Sequence, residues 1–322
     1  MPRDRELRLG TRGSQLALWQ ADAVAARIAE SGGPPCRRVI VRTTGDRLQD
    51  APLSEAGGKR LFVKELEDAL LRDEIDLAVH SSKDMPVVLP EGLAIAGTLP
   101  REDPRDALVL PAEARLPVTG PADIDEGLKA ALGRTPAIGT SSVRRIAQLM
   151  RILPNARFSA IRGNLDTRLR KLDEGQYDAL VLAAAGLRRL GFGSRISLAL
   201  PVTICVPAPG QGIVAVEIRA GDRGAQAAVA AISDQSAGSA LAAERAVVLG
   251  LGGGCQTPIG ALAIPFGEML EVVAVVVSPD GARALRAEAT GQATAAESIG
   301  AQVAKRLIEQ GAQDILAESR VR

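Results

Sequence analysis

The chain has very few of the residues on which several common chemistries depend. Aromatic residues make up 2% of its 322 residues, and it contains one histidine and three cysteines. One histidine and three cysteines without a CxxC pair provide neither a plausible zinc site nor an even disulfide framework. These absences argue against a zinc enzyme and a disulfide-rich secreted domain, and they favour a reducing, cytoplasmic environment.

Long apolar runs are also missing. The first ten residues contain no apolar signal core, and no run approaches the roughly 20 residues of a membrane span. With 46% hydrophobic residues and a net charge of +1, the composition is that of an ordinary soluble protein of two or three domains. The scarcity of aromatics and the lack of helix-turn-helix or zinc spacing also argue against nucleic-acid binding. We therefore expect neither a membrane nor a nucleic-acid partner.

Positive charge is nevertheless concentrated in residues 139–172, where eight basic residues accompany one acid, Asp166. A solvated basic face is the commoner reading of such a cluster. Here, however, Ser142 and Gly163 stand where predicted strands turn into predicted helices. Helix N-termini and strand ends attract anions, and guanidinium forks match carboxylate or phosphate geometry. The stretch therefore favours a site for a small polyanion.

Similar residues follow three other predicted strands. For a lysine and an aspartate just past an apolar strand, a surface salt bridge is the plain alternative, worth about 0–1 kcal/mol. Their position at the end of a buried strand favours function instead, because α/β proteins place their sites at this edge. The residues at these junctions are Arg12 and Ser14, Lys83 and Asp84, and Arg189.

Segments dense in proline and charge divide the chain. Residues 100–105 predict a crossing between two domains, and residues 207–212 predict a second hinge that leads into a strand rejoining the first sheet. Two crossings between the same two domains are the wiring of periplasmic-binding-protein-like folds. We predict domain 1 at 1–102 with 213–232 returning to it, domain 2 at 103–206, a hinge at 207–212, and a small α+β domain 3 at 233–322.

Cys255 lies in the glycine-rich segment 252–258. A thiol on such a loop is usually only a tolerated residue, but exposure and backbone N–H groups can also make it a nucleophile or an attachment point. From the residues alone the first interpretation is the better one. A cysteine hydrolase would have to pair Cys255 with His80, the only histidine.

Several segments in a fixed order carry a resemblance. They are RGSQLALWQ, GGKRLFVKELE, VHSSKDMP, REDPRDAL, GTSSVRR, RGNLDTRLRKLDEGQYDALVLAAAGLRRL, PAPGQG and ERAVVLGLGGGCQTPIGA. Together they resemble the porphobilinogen deaminase (hydroxymethylbilane synthase) family from about Leu7 to the closing helix. No single segment is specific, but the ordered combination is.

The resemblance implies an α/β fold with two periplasmic-binding-protein-like lobes of type II, built on doubly wound mixed sheets around a cleft, plus a small C-terminal α+β domain. It implies a dipyrromethane cofactor attached by a thioether to Cys255. Onto this primer, four porphobilinogen molecules are condensed head to tail with loss of ammonia, and hydrolysis then releases hydroxymethylbilane. It also implies a monomer that needs no metal.

The resemblance assigns roles to individual residues. Asp84 matches the catalytic acid, whose ionised carboxylate would stabilise positive charge near the pyrrole nitrogens. Lys59 and Phe62 fall in an expected flap over the cleft, although Phe62 also fits a plain core position. The residues that match the family's cofactor- and substrate-binding set are Arg12, Ser14, Lys83, Ser142, Arg144, Arg145, Arg162, Arg168 and Arg189.

One alternative comes from another functional class. A non-catalytic cytoplasmic anion-binding module on the same two-lobed scaffold would also need the clustered arginines. It would make Cys255 and Asp84 dispensable, whereas the enzyme requires both. These two residues therefore discriminate between the two hypotheses.

Overall fold

The computed structural model describes residues 6–43, 63–117, 120, 123–253 and 257–320. Within them the strands are β1 (Leu7–Thr11), β2 (Cys36–Ile40), β3 (Leu77–Ser81), β4 (Leu93–Thr98), β5 (Asp106–Val109), β6 (Ala137–Gly139), β7 (Arg157–Ser159), β8 (Ala179–Ala183), β9 (Leu198–Ala199), β10 (Val214–Arg219), β11 (Ile259–Phe266), β12 (Met269–Val277) and β13 (Ala284–Gln292). The α-helices are α1 (Gln15–Glu30), α2 (Lys64–Leu71), α3 (Ile124–Leu132), α4 (Val143–Leu149), α5 (Leu165–Asp173), α6 (Ala184–Arg189), α7 (Arg223–Ala230), α8 (Gln235–Gly250), α9 (Ala296–Glu309) and α10 (Ala312–Arg320). Of these helices, none is both long and apolar enough to cross a membrane.

The first sheet has the strand order β2-β1-β3-β10-β4. Strand β1 pairs in parallel with β2 and β3, whereas β10 is antiparallel to both β3 and β4. Helices α1 and α7 cover one face and α2 covers the other, which explains why the central strands are apolar on both faces. After the second hinge the chain enters this sheet again, because β10 lies between β3 and β4.

The second sheet repeats the same pattern in the order β7-β6-β8-β5-β9. Its parallel strands are β6, β7 and β8, and β5 runs antiparallel to β8 and β9. Helices α3 and α4 pack on one face and α5 and α6 on the other. The chain crosses from the first sheet to the second between β4 and β5, and this segment is the first crossing. It returns between β9 and β10, and this segment is the second crossing. This confirms the predicted doubly wound α/β class, while the limits of the domains remain a prediction.

The third sheet, β11-β12-β13, is antiparallel. Helices α8, α9 and α10 cover one of its faces. Its other face packs on the second lobe, which is the part of the chain built around the second sheet. There Val273 and Val275 join a cluster with Ala147 of α4 and Val206. The approach is close, since a Cβ added at Gly260 would lie 2.7 Å from the Val206 carbonyl oxygen. The small α+β unit is therefore docked against α4.

One strand was predicted in the wrong place. The β-branched run favours a second strand at 39–43, but the structure places β2 at Cys36–Ile40. Its register explains the difference, because Cys36 pairs with Leu7 and Ile40 with Thr11 along the full length of β1. On an edge strand, pairing with the neighbour determines the limits more than local residue preference does.

Candidate active site

A short 3-10 turn, Ser82–Asp84, follows β3 directly and carries Lys83 and Asp84. The buried Met85 anchors the end of the turn, and its N–H donates to the Ser82 carbonyl at 3.1 Å. The Ser82 N–H in turn donates to the Ile213 carbonyl at 3.0 Å, which ties the turn to the start of β10. Asp84 is half-buried and stands at the carboxyl end of a buried strand, as the sequence predicts.

Arg12 and Ser14 lie at the end of β1, the parallel neighbour of β3, so they occupy the same edge of the sheet. The Ser14 hydroxyl accepts from the Ala17 N–H at 3.3 Å and caps α1. From the same helix, the buried Gln20 donates to the Ser81 hydroxyl at 2.8 Å. Helix α1 therefore holds the strand end just before the turn that carries Asp84.

In the second lobe, Arg162 and Arg168 flank the start of α5. Gly163 between them has φ +106°, a conformation that favours glycine, and its carbonyl accepts from Arg168 Nε at 2.9 Å. Burial lowers the pKa of Arg168, the positive charges of Arg145 and Arg162 lower it further, and the Asp84 carboxylate opposes them. Arg168 thus lies within electrostatic reach of Asp84. The structure therefore brings the predicted catalytic acid of one lobe close to predicted arginines of the other.

Arg144 and Arg145 are placed differently from an open anion site at a helix N-terminus. Both are buried on the carboxylate of Asp106, with Arg144 Nη1 at 2.6 Å from Oδ2 and Arg145 Nε at 2.8 Å from Oδ1. Arg144 also donates to the Val206 carbonyl at 2.7 Å, and Arg145 Nη1 to the Val181 carbonyl at 2.8 Å. Their assignment as ligands for a bound carboxylate stays a prediction, and internal partners already hold both guanidiniums.

Asp106 is a residue that the sequence interpretation missed. Burial raises its pKa, but Arg144 and Arg145 more than offset this and hold the pKa well below its usual range. The neighbouring Cys205 thiol donates to Asp106 Oδ2 at 3.2 Å, and its pKa is raised to about 12, chiefly by burial. The sequence feature that could have identified Asp106 is an acidic residue at the start of an apolar strand, because a buried carboxylate requires a cationic partner.

Arg189 reaches from α6 of the second lobe toward the first. Its Nη2 donates to the Gly212 carbonyl at 2.7 Å, and its guanidinium carbon lies 5.4 Å from the ring centroid of Trp19 in α1. Burial lowers the pKa of Arg189, and Glu102 opposes this shift. Ser142 is the N-cap residue of α4, although its hydroxyl makes no capping hydrogen bond.

Cys255, Lys59 and Phe62 lie outside the described residues, so their predicted roles are untested. The flanks of the cysteine loop are described. On the near side, the Gly253 N–H donates to the Val248 carbonyl of α8 at 3.0 Å, and on the far side the Ala261 N–H of β11 donates to the Pro207 carbonyl at 3.0 Å. The strand after the loop is thus joined to the second crossing.

His80 has a structural environment. Its side chain is 3% exposed, and its Nε2 lies 3.0 Å from Oε2 of the fully buried Glu217 in β10. The ring is therefore enclosed within the first sheet and already paired with a carboxylate. The structure therefore disfavours a hydrolase built on Cys255 and His80. Within the described ranges there is also no cluster of three or more histidine, cysteine, aspartate or glutamate residues able to hold a metal.

Glu244 of α8 was also missed by the sequence interpretation. Its buried carboxylate accepts from Arg101 Nη1 at 2.5 Å in the first crossing and from the Gly210 N–H at 2.5 Å in the second. It also accepts from the Ala263 N–H of β11 at 2.7 Å. The small C-terminal unit is thereby bonded to both crossings between the lobes.

Comparison with known proteins extends these observations over the whole chain. The model described as "Porphobilinogen deaminase, dipyromethane cofactor binding domain" matches residues 7–227, and "Porphobilinogen deaminase, C-terminal domain" matches residues 239–309. Among curated proteins, the porphobilinogen deaminase of Geobacter metallireducens is 42% identical over 98% of this chain and 95% of its own length. That of Geobacter sulfurreducens is 42% identical over 97% and 94%.

A solved structure, the VFT2 domain of Bordetella pertussis BvgS (double mutant F375E/Q461E), has 18% identity and a TM-score of 0.41 over 72% of this chain and 87% of its own. A score this low supports no inference. The family models and the curated relatives, by contrast, match nearly the whole chain. The chain therefore belongs to the porphobilinogen deaminase family.

Proposed function

We propose that this chain is a hydroxymethylbilane synthase, a transferase of tetrapyrrole biosynthesis. It condenses four porphobilinogen molecules head to tail with loss of ammonia and releases hydroxymethylbilane by hydrolysis. Family membership over nearly the whole chain carries this conclusion. No observation favours the non-catalytic anion-binding module.

The residues present fit the dipyrromethane group that the family carries. Such a group bears several carboxylates, and Arg162, Arg168 and Arg145 lie close enough for their charges to interact. Burial first, and then repulsion from Arg145 and Arg162, lowers the pKa of Arg168, so an anion bound beside it is favoured because it relieves that repulsion. Cys255 would hold the group by a thioether, and the bound group supplies the primer on which the product chain grows.

Asp84 acts as an electrostatic stabiliser in this proposal. When ammonia leaves porphobilinogen, positive charge develops at the pyrrole, and a fixed carboxylate beside the ring nitrogen stabilises it. The short turn after β3 holds Asp84 at the carboxyl end of that strand, within electrostatic reach of Arg168. An aspartate positioned by a strand end needs little reorganisation as the charge forms.

Substrate carboxylates would be bound from both lobes. Arg12, Ser14 and Lys83 would act from the first lobe, and Ser142, Arg162, Arg168 and Arg189 from the second. A hydrogen bond to a charged group contributes about 1.5–3 kcal/mol. Loss of one such ligand should therefore weaken binding by roughly 10- to 100-fold. Several ligands of this strength hold and orient a polycarboxylate.

The mass of the intact, denatured protein tests the proposal directly, beside a Cys255→Ser variant. The expected result is an added mass equal to two linked porphobilinogen-derived units, absent from the variant. In a parallel assay, wild-type protein should consume porphobilinogen, and Asp84→Ala should fold normally but stop elongation. An unmodified wild-type mass from cells that make porphobilinogen, together with no turnover, would contradict the proposal.

We also propose a cytoplasmic monomer that binds neither nucleic acid nor membranes. The near-neutral net charge and the shortage of aromatic side chains support this view. Light scattering after size-exclusion chromatography should give the mass of one chain. A concentration-independent dimer would contradict the monomer.

A further inference from the structure

A single side-chain amide lies where the two crossings meet the turn Ser82–Asp84. Gln211, in the second crossing, is 1% exposed. Its Nε2 donates to the Pro104 carbonyl at 2.7 Å and to Asp106 Oδ1 at 2.9 Å, while its Oε1 accepts from Lys83 Nζ at 3.3 Å. Its main-chain carbonyl accepts from Arg101 Nε at 2.9 Å. One residue therefore contacts both lobes and the first crossing.

The partners of this amide determine its orientation. The Pro104 carbonyl and the Asp106 carboxylate can only accept, and the Lys83 ammonium can only donate. A flipped amide would place its oxygen against two oxygens and its N–H groups against the ammonium. All three partners thus require the same orientation, with the Gln211 oxygen directed to Lys83.

These bonds link charged groups on the two sides of the cleft. Lys83 precedes Asp84 in the first lobe, and Gln211 joins it to Asp106 at the start of the second sheet. Asp106 also holds Arg145, whose charge acts on Arg168. A continuous path of hydrogen bonds, through Gln211 and Asp106, therefore connects Lys83 of the first lobe to Arg145 of the second.

We propose that Gln211 is a positioning residue, which fixes the Lys83 ammonium relative to the second-lobe arginines and so sets the spacing of the carboxylate ligands across the cleft. The identification of the carboxylates as those of porphobilinogen and its oligomers rests on the proposed function. The geometry of the amide does not.

Stability alone cannot test this role. Gln211→Met has a similar length but leaves the Pro104 carbonyl and one Asp106 lone pair without their donor, so the variant loses stability whatever Gln211 does for the site. The informative readouts are the chemical reactivity of Lys83 and the division of the kinetic effect between KM and kcat.

The first readout is reductive methylation of full-length, cofactor-loaded protein with formaldehyde, followed by quantification of the Lys83 peptide by mass spectrometry. In Gln211→Met, methylation of Lys83 should be severalfold faster than in wild type, because the ammonium has lost its fixed amide partner. Methylation of Lys305, whose side chain is 78% exposed, serves as the internal reference. The matched control is Gln226→Met, which removes an exposed amide that donates to the Ala96 carbonyl at 3.3 Å.

The second readout is steady-state turnover of porphobilinogen. Gln211→Met should raise KM by about 10-fold with a smaller change in kcat, because a ligand used in both ground and transition states has been displaced. Gln226→Met should match wild type. Gln211→Asn keeps an amide on a shorter side chain, should shift both readouts in the same direction, and replaces Gln211→Met if that variant does not fold.

The outcomes separate this inference from the proposed function. An active wild type whose Lys83 reactivity is unchanged by Gln211→Met or Gln211→Asn would overturn the positioning role. A wild type that does not consume porphobilinogen would overturn the proposed function, while the methylation experiment would still test the Gln211–Lys83 link.

Discussion

The buried carboxylate of Asp106 should contribute strongly to the stability of the second lobe. Its side chain is fully buried and accepts hydrogen bonds from two guanidiniums, those of Arg144 and Arg145, and from the Gln211 amide. In Asp106→Asn the shape is kept, but the negative charge is lost and an NH2 group replaces one acceptor. Two buried cations would then lack their counter-charge.

Removing one partner from a buried ion pair costs about 3–5 kcal/mol. We therefore expect Asp106→Asn to raise the equilibrium constant for unfolding by roughly two to four orders of magnitude. Because Arg144 and Arg145 hold the folded-state pKa of Asp106 far below its unfolded value, the stabilisation is fully present above about pH 4, the unfolded pKa. It is lost progressively as the pH falls below that value toward the much lower folded-state pKa. The destabilisation should consequently be the same at pH 5 and at pH 8.

The assay is urea unfolding followed by far-UV circular dichroism, comparing midpoint and slope at both pH values. The matched control is Asp73→Asn, because Asp73 is 66% exposed and also pairs with an arginine, Arg8. A surface pair of this kind contributes about 0–1 kcal/mol. If Asp106→Asn lost no more stability than Asp73→Asn, the claim that this carboxylate holds the two buried arginines would be refuted.

Three further predictions follow from individual side chains. Burial raises the pKa of Asp76, but hydrogen bonds from Arg8 and Arg219 lower it to about 2. The stabilisation by this carboxylate is therefore present above about pH 4 and is lost between about pH 4 and 2. Asp76→Asn should flatten the dependence of the urea midpoint on pH in that window. Burial raises the pKa of the Cys205 thiol to about 12. Iodoacetamide at pH 8 should therefore leave Cys205 unmodified in native protein and alkylate it after denaturation. Rapid labelling of the native protein would contradict the buried site. Arg189→Met should raise the KM for porphobilinogen by roughly 10- to 100-fold, with Arg189→Lys intermediate. It should also alter the fluorescence emission of Trp19, the only tryptophan. An unchanged KM would remove Arg189 from the binding set.

The fold could be predicted from sequence where local pattern and burial agree. The apolar run of β3 and the β-rich segment after the second hinge lie in the first sheet as expected, because strands buried on both faces leave a continuous apolar signal. An edge strand such as β2 gives a weaker signal, and its limits depended on pairing with β1. The sequence interpretation does not predict helix α10, which follows the closing helix α9.

The candidate site could be predicted only in part, because a sequence shows charges but not their partners. Arg144 and Arg145 have the spacing of an anion site, yet their counter-charge, Asp106, lies 38 residues from Arg144 and comes close only when β5 enters the second sheet. Likewise, nothing local to Gln211 indicates that its amide meets Lys83, 128 residues away. Long-range pairing of this kind is a property of the fold.

These partners divide the basic stretch into two kinds of arginine. Arg144 and Arg145 are buried on Asp106, where they join the second sheet to α4 and to the crossing before β10. Burial and the like charges of Arg145 and Arg162 lower the pKa of Arg168, and Asp84 opposes them from the other lobe. A carboxylate entering the cleft gains most beside Arg168, because it removes repulsion there, whereas beside Arg144 it would have to compete with a buried aspartate. In the proposed function, affinity for polyanions and rigidity of the lobe would thus come from neighbouring arginines with different counter-charges.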